Sequence, residues 1–149
     1  MVERSEMDAA LVANRAEALA LVPVSRETAA KLDEFVRKLL DVTPLINLIA
    51  RSTIPYIWTR HIADSLQLLA LAPEAKCWVD LGSGAGFPGI VIACALAGRE
   101  GTAGQLVEST GKKAAFLRDA LNDLQLPAVV HAVRIEDFVK NFKDEADVV

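Results

Sequence analysis

An α/β fold, a parallel sheet with a helical extension at its amino end, is predicted by two features of these 149 residues. Apolar residues recur at helical spacing as far as Pro73, and beyond it short apolar runs alternate with helical segments. In that second part an apolar run at 77–81 leads into Gly82-Ser83-Gly84-Ala85-Gly86-Phe87-Pro88-Gly89 and then an apolar helix. Strand–helix alternation implies parallel strands joined by right-handed crossovers. The expected division is a helical extension over 1–73 and an α/β ligand-binding domain over 74–149, packed as one structural unit.

The elements follow in order. Residues 6–21 are rich in Ala and Leu and predict a first helix. Pro23 breaks it, and Ser25 is a good N-cap with Glu27 in the first turn of a second helix. Ala29, Leu32, Phe35, Val36, Leu39 and Leu40 lie on its apolar face, and it should end before Pro44. A third helix is signalled by Ser52 or Thr53 as cap and Pro55 at the first helical position. Ile57, Trp58, Ile62, Leu66, Leu69 and Ala70 mark its apolar stripe, and Pro73 closes it. Strand 77–81 precedes helix 88–97, which Gly98 caps. Strand 105–108, helix 112–124, strand 128–133 and helix 136–142 come next, and 146–149 opens a fourth strand. In a doubly wound sheet that strand is central, so the domain reads as carboxy-terminally incomplete.

Composition narrows the class of function. Just over half the residues are apolar, a quarter are charged and the net charge is −4, so no general basic field marks a nucleic-acid binder. Either side of Pro73 the balance is 8 basic to 9 acidic residues and 8 to 11, which excludes a basic arm. Cys77 and Cys94 lack zinc-site spacing and read as reduced, buried thiols. With two histidines, His61 and His131, no metal site is expected. The amino terminus has no signal pattern and no apolar run spans a bilayer, so a cytoplasmic protein without membrane partners is expected.

Gly84-Ala85-Gly86-Phe87-Pro88-Gly89 fits G-x-G-x-x-G, a weak signal alone that its strand–helix context strengthens. Two ligand classes compete for such a loop. A dinucleotide rests its pyrophosphate on free N–H groups at the helix start. Pro88 removes one of those groups, Phe87 adds bulk, and the Asp80 carboxylate before the first glycine repels phosphate. S-adenosylmethionine carries no phosphate, and Asp80 complements its cationic methionine end. Glu108, ending the second strand, suits the ribose hydroxyls of either ligand. Asp80 and Pro88 decide for S-adenosylmethionine, with Gly82 and Gly84 beneath it. After the third strand, Ile135 and Glu136 are placed to meet the adenine, although Glu136 and Asp137 also read as ordinary acidic residues at a helix start.

His61, Asp64 and Ser65 share one helix face. They orient substrate at the mouth of the site or, the more economical reading, bond the helix to the sheet. Lys112, Lys113 and Arg118 read first as a solvated helix start and second as phosphate contacts. No base dyad or nucleophile lies near the loop, so no catalytic residue is named.

The Gly-Phe-Pro-Gly ending of the loop resembles the glucose-inhibited division protein B family, bacterial methyltransferases that form 7-methylguanosine in small-subunit ribosomal RNA. Asn47-Leu48-Ile49, Arg60-His61-Ile62-Ala63-Asp64-Ser65, Gly111-Lys112-Lys113 and Arg134-Ile135-Glu136-Asp137 agree with the same family, in its order. The resemblance implies a Rossmann-like class I methyltransferase sheet, of which four strands are present. It implies S-adenosylmethionine contacts at Gly82, Phe87, Ile135 and Glu136. It also implies an RNA partner, small-subunit ribosomal RNA, either naked or within a ribosomal particle, the net charge favouring the particle mildly. Family members continue past the equivalent of Val149 with an arginine-containing segment near cofactor and substrate. Guanine N7 has an in-plane lone pair and no proton to lose, so methylation there needs alignment rather than a base. The alternatives are a methyltransferase with another substrate and a non-catalytic fragment that binds a nucleoside.

Overall fold

Two long helices lead into the sheet. The computed structural model describes residues 2–149. Helix α1 spans Val2–Leu21 and α2 spans Arg26–Ile46. Ser25 caps α2, its hydroxyl oxygen accepting the Thr28 N–H at 3.1 Å. The helix does not end before Pro44. It runs two residues further and stops at Asn47, which is left-handed (φ 51°) and donates its N–H to the Thr43 carbonyl. A proline in a last turn removes one backbone hydrogen bond, and the Thr43 hydroxyl adds one to the Leu39 carbonyl at 2.7 Å.

The expected third helix is three different turns in series. A 3₁₀ turn spans Arg51–Tyr56, a wide π turn spans Trp58–Ala63, and α3 spans Asp64–Leu71. Neither Ser52 nor Thr53 is the cap: Ala50 holds that position and accepts the Thr53 hydroxyl at 2.7 Å. The change of pitch has a visible cause. Asn14, buried in α1, accepts the N–H groups of Trp58 and Thr59 on its Oδ1 at 2.9 and 3.0 Å, diverting both from intrahelical partners. Arg15 beside it forks onto Asp33 of α2 at 2.6 and 3.0 Å and lies 5.4 Å over the Trp58 ring.

Strands β1 (Cys77–Leu81), β2 (Ala103–Val107) and β3 (Ala128–His131) form a parallel sheet in that order. They alternate with α4 (Gly89–Leu96), α5 (Gly111–Leu124) and α6 (Ile135–Asn141). Leu81 aligns with Val107, and Val107 with His131, so the loops after all three strands leave from one end. The expected fourth strand is reduced to one bridge. Val148 pairs with Trp78 on the edge of β1 that β2 leaves free, its carbonyl accepting the Val79 N–H at 2.9 Å. On the amino-terminal side of this bridge the Asp147 carboxylate takes the N–H groups of Lys76 and Cys77, at 2.8 Å each.

Period-two alternation sorts β1 and β2 onto two faces. Trp78 packs with Ile92 and Leu96 of α4, while Val79 and Val107 pack with Phe138 of α6. One apolar cluster joins the helical part to the sheet part: Leu32, Phe35 and Leu39 of α2 lie with Ile90, Leu106 and Leu117. Lys31 of α2 ties this cluster's edge by donating to the Leu124 carbonyl at the end of α5, at 2.7 Å.

Gly86 sits where this core meets the glycine loop. Its φ is +106°, and an added Cβ would stand 2.6 Å from Ile90 Cγ1 and 3.1 Å from Phe35 Cζ. Gly98, also left-handed at +88°, has open space there. Both Ala substitutions incur the left-handed penalty. Only Gly86→Ala adds overpacking, about 1–3 kcal/mol. Urea denaturation of the two variants is expected to show Gly86→Ala less stable than Gly98→Ala by that margin; equal losses would contradict the packing described.

Candidate nucleoside-binding site

The glycine loop is held by its own backbone. The N–H groups of Gly82 and Ser83 both reach the Val107 carbonyl, at 2.9 and 3.0 Å, and Gly86 donates to Ser83 at 2.8 Å. Gly84 donates to Glu108 Oε1 at 2.9 Å, and the other carboxylate oxygen accepts from Thr110 N–H at 2.8 Å. A Cβ built on Gly82 or Gly84 meets nothing within 4 Å, so the floor of the loop faces open space. Glu108 is therefore fixed at the loop's edge with one backbone donor on each oxygen. A carboxylate has about four acceptor positions, which leaves capacity for a pair of hydroxyls.

Asp80 is engaged within the loop through one of its two oxygens. Its Oδ2 accepts the Gly89 N–H at 3.0 Å and so caps α4 across the loop. Gly89 is small for this reason: a Cβ would stand 2.7 Å from that oxygen and 2.9 Å from Leu106 Cγ. Burial pushes the Asp80 carboxyl above its ordinary pKa, and the negative Glu108 adds to the effect against the Gly89 hydrogen bond. For Glu108 burial acts the same way but loses. The N–H groups of Thr110 and Gly84, with Lys113 nearby, hold its carboxyl below the usual value.

The first donors of α4 are thereby withheld from phosphate. Pro88 has no N–H, Gly89 donates to Asp80, and Ile90 donates to the Gly86 carbonyl at 2.8 Å. The loop's donors at 82, 83, 84 and 86 are likewise taken. A helix terminus binds pyrophosphate through free N–H groups, and those of Gly89 and Ile90 are not free.

Phe87 faces away from that terminus. Its ring stacks on His61 of the π turn, centroids 4.7 Å apart at 20°, and meets Phe35 edge-on at 5.5 Å. The Phe87–Pro88 peptide is cis. Beside the stack lies a cleft of about 290 Å³ lined by Arg60, His61, Asp64, Leu68, Phe87 and Pro88 among others. Burial, then Arg60, lower the His61 pKa against the pull of Asp64. The expected hydrogen-bond network from this helix to the sheet is not formed. Ser65 bonds back to the His61 carbonyl at 2.6 Å, and the link to the loop is the aromatic stack.

Ile135 and Glu136 open α6 at the sheet end shared with Gly82 and Glu108, Ile135 being 41% exposed and Glu136 exposed. Arg118 and Lys112 are exposed on α5. Cys94 is buried, with its thiol pushed up to about 12, and Cys77 is half-buried; both are free. Among the described residues no cluster of three or more metal-ligating side chains occurs, and no helix is long and apolar enough to cross a membrane. Sequence reasoning missed Asn14, Thr110 and Phe35 as parts of this site. The one available signal was a lone Asn in an Ala- and Leu-rich helix.

Comparison with known proteins gives a consistent picture. The family model for rRNA small subunit methyltransferase G (GidB) matches residues 28–149. Relatives named ribosomal RNA small subunit methyltransferase G include one from Nitrobacter winogradskyi, 58% identical over 136 residues, 91% of this chain and 49% of the relative. One from Bradyrhizobium sp. strain BTAi1 is 55% identical over 139 residues, 93% of this chain and 63% of the relative. One from Rhodopseudomonas palustris strain BisB18 is 54% identical over 139 residues, covering 93% and 59%. The chain thus spans from about half to just under two thirds of the length of these relatives.

The depressed Glu108 pKa fixes a pH window. Its contribution to stability is present above the unfolded pKa near 4.5 and is lost as pH falls through the lower folded value. The difference in urea midpoint between the parent and Glu108→Gln should be constant from pH 7 to about 5 and shrink below 4.5. A difference that grows on acidification would show that the carboxylate is not held by Gly84 and Thr110.

Proposed function

Because the chain belongs to the rRNA small subunit methyltransferase G family, we propose that it is the cofactor-binding part of a methyltransferase that forms 7-methylguanosine in small-subunit ribosomal RNA, using S-adenosylmethionine. The closed start of α4 carries this reading: with Gly89 donated to Asp80 and Pro88 lacking an N–H, the loop suits a nucleoside without phosphate. Gly82 and Gly84 form the floor under the ligand, and Glu108 accepts from the ribose hydroxyls through its remaining acceptor positions. Ile135 packs on the adenine and Glu136 bonds its edge. Asp80 contributes negative charge behind the loop while its oxygen holds the loop shut.

When bound, S-adenosylmethionine supplies a methyl group on a cationic sulfur. The chain's own task is then to align a base against it, because guanine N7 gives up no proton. Phe87 forms the wall between the nucleoside floor and the cleft, where His61 and Asp64 orient the RNA base. With a net charge of −4, a ribosomal particle in the cytoplasm, whose proteins share the contacts, suits the partner better than naked RNA.

Calorimetric titration with S-adenosylhomocysteine and NAD in parallel tests the cofactor. S-adenosylhomocysteine is expected to bind and NAD not. Glu108→Ala should weaken binding about 10–100-fold, from about 1.5–3 kcal/mol for hydrogen bonds to a charged group. Binding of NAD alone would overturn the proposal.

A further inference from the structure

Helix α1 lies wholly outside the residues that the family model matches, 28–149, yet one of its side chains bonds the segment that lines the cleft. Asn14 is 6% exposed and makes three hydrogen bonds to a segment more than forty residues away. Its Oδ1 accepts the N–H groups of Trp58 and Thr59, and its Nδ2 donates to Thr59 Oγ1 at 2.9 Å. These are the first residues of the π turn, and a π turn forms where backbone donors leave the ordinary helical ladder. The wide turn brings His61 onto the Phe87 ring, and through it onto the glycine loop.

We infer that Asn14 is a positioning residue: by capping the π turn it sets where His61 lies on Phe87, and so sets the wall shared by the nucleoside floor and the base-side cleft. The inference rests on the reading of that cleft as the substrate side. The geometry behind it is independent of any ligand. Three arguments favour a specific device over general packing. The contact is polar, with both the carbonyl and the amide of Asn14 bonded in a buried setting, where a lost partner is costly. It acts on the two donors at which the pitch changes. Arg15, the next residue, grips the same segment by lying over Trp58, so α1 holds the π turn at two adjacent points.

The test follows the imidazole signals of His61 by NMR in this chain, with His131 as internal control and His61→Gln giving the assignment. The charged groups facing His61 are Asp64 and Arg60, and both stay in place in every variant used. In Asn14→Ala the His61 pKa should rise toward its ordinary value and its protons lose the displacement caused by the Phe87 ring. His131, bonded to Gln105 at 2.7 Å, should not move. Asn14→Asp retains both acceptor contacts and should restore the displacement caused by the Phe87 ring, the readout that its added charge leaves unchanged. Thr59→Val removes the Nδ2 partner together with the long hydroxyl bond to the Tyr56 carbonyl (3.4 Å), and should move His61 in the same direction by less; it decides the matter if Asn14→Ala does not fold. An unmoved His61 in a folded Asn14→Ala or Thr59→Val overturns the inference, as does a parallel shift of both histidines. Because no cofactor or RNA is present, that failure is distinct from a failure of the methyltransferase reading, which S-adenosylhomocysteine titration reports separately.

Discussion

One hydrogen bond organises the centre of this molecule: the Gly89 N–H donated to Asp80 Oδ2 at 3.0 Å. It joins the end of β1 to the start of α4 across the glycine loop, and everything nearby accommodates it. Gly89 has no Cβ because the oxygen occupies that space. The helix start, whose positive end ordinarily attracts a phosphate, is satisfied from within by a carboxylate. The chain's own carboxylate thus occupies a donor at a helix start of the kind that elsewhere receives phosphate.

Glu108 completes the selection from the other side. Its two oxygens hold Gly84 and Thr110, so the carboxylate is aimed before any ligand arrives. Those bonds, not burial, govern its acidity. Asp80 shows the opposite balance, with burial dominant. Two carboxylates beside the same loop thus differ: one clasps the start of α4, the other is held ionised by two backbone donors.

The parallel sheet, its crossovers and the position of Glu108 were legible in the sequence because they depend on local period and strand–turn–helix order. Ser25, with Glu27 behind it, also announced its helix correctly. What was not legible depends on partners distant in sequence. Pro44 read as a helix end, but Asn47 in the left-handed region is the stop. The single helix expected from Pro55 onward is split because Asn14, more than forty residues earlier, takes two of its donors. Before the Val148 bridge, the Asp147 side chain rather than strand backbone takes the Lys76 and Cys77 donors. The His61 face was expected to bond to the sheet and instead stacks on Phe87, a contact that no spacing rule encodes.

Backbone amide shifts on titration with S-adenosylhomocysteine test the central claim most directly. If the start of α4 is closed by Asp80, the amides of Gly82, Gly84 and Thr110 will move while that of Gly89 stays fixed. Large movement at Gly89 and Ile90, with Gly84 and Thr110 unaffected, would mean that the ligand sits on the helix terminus and that the account is wrong.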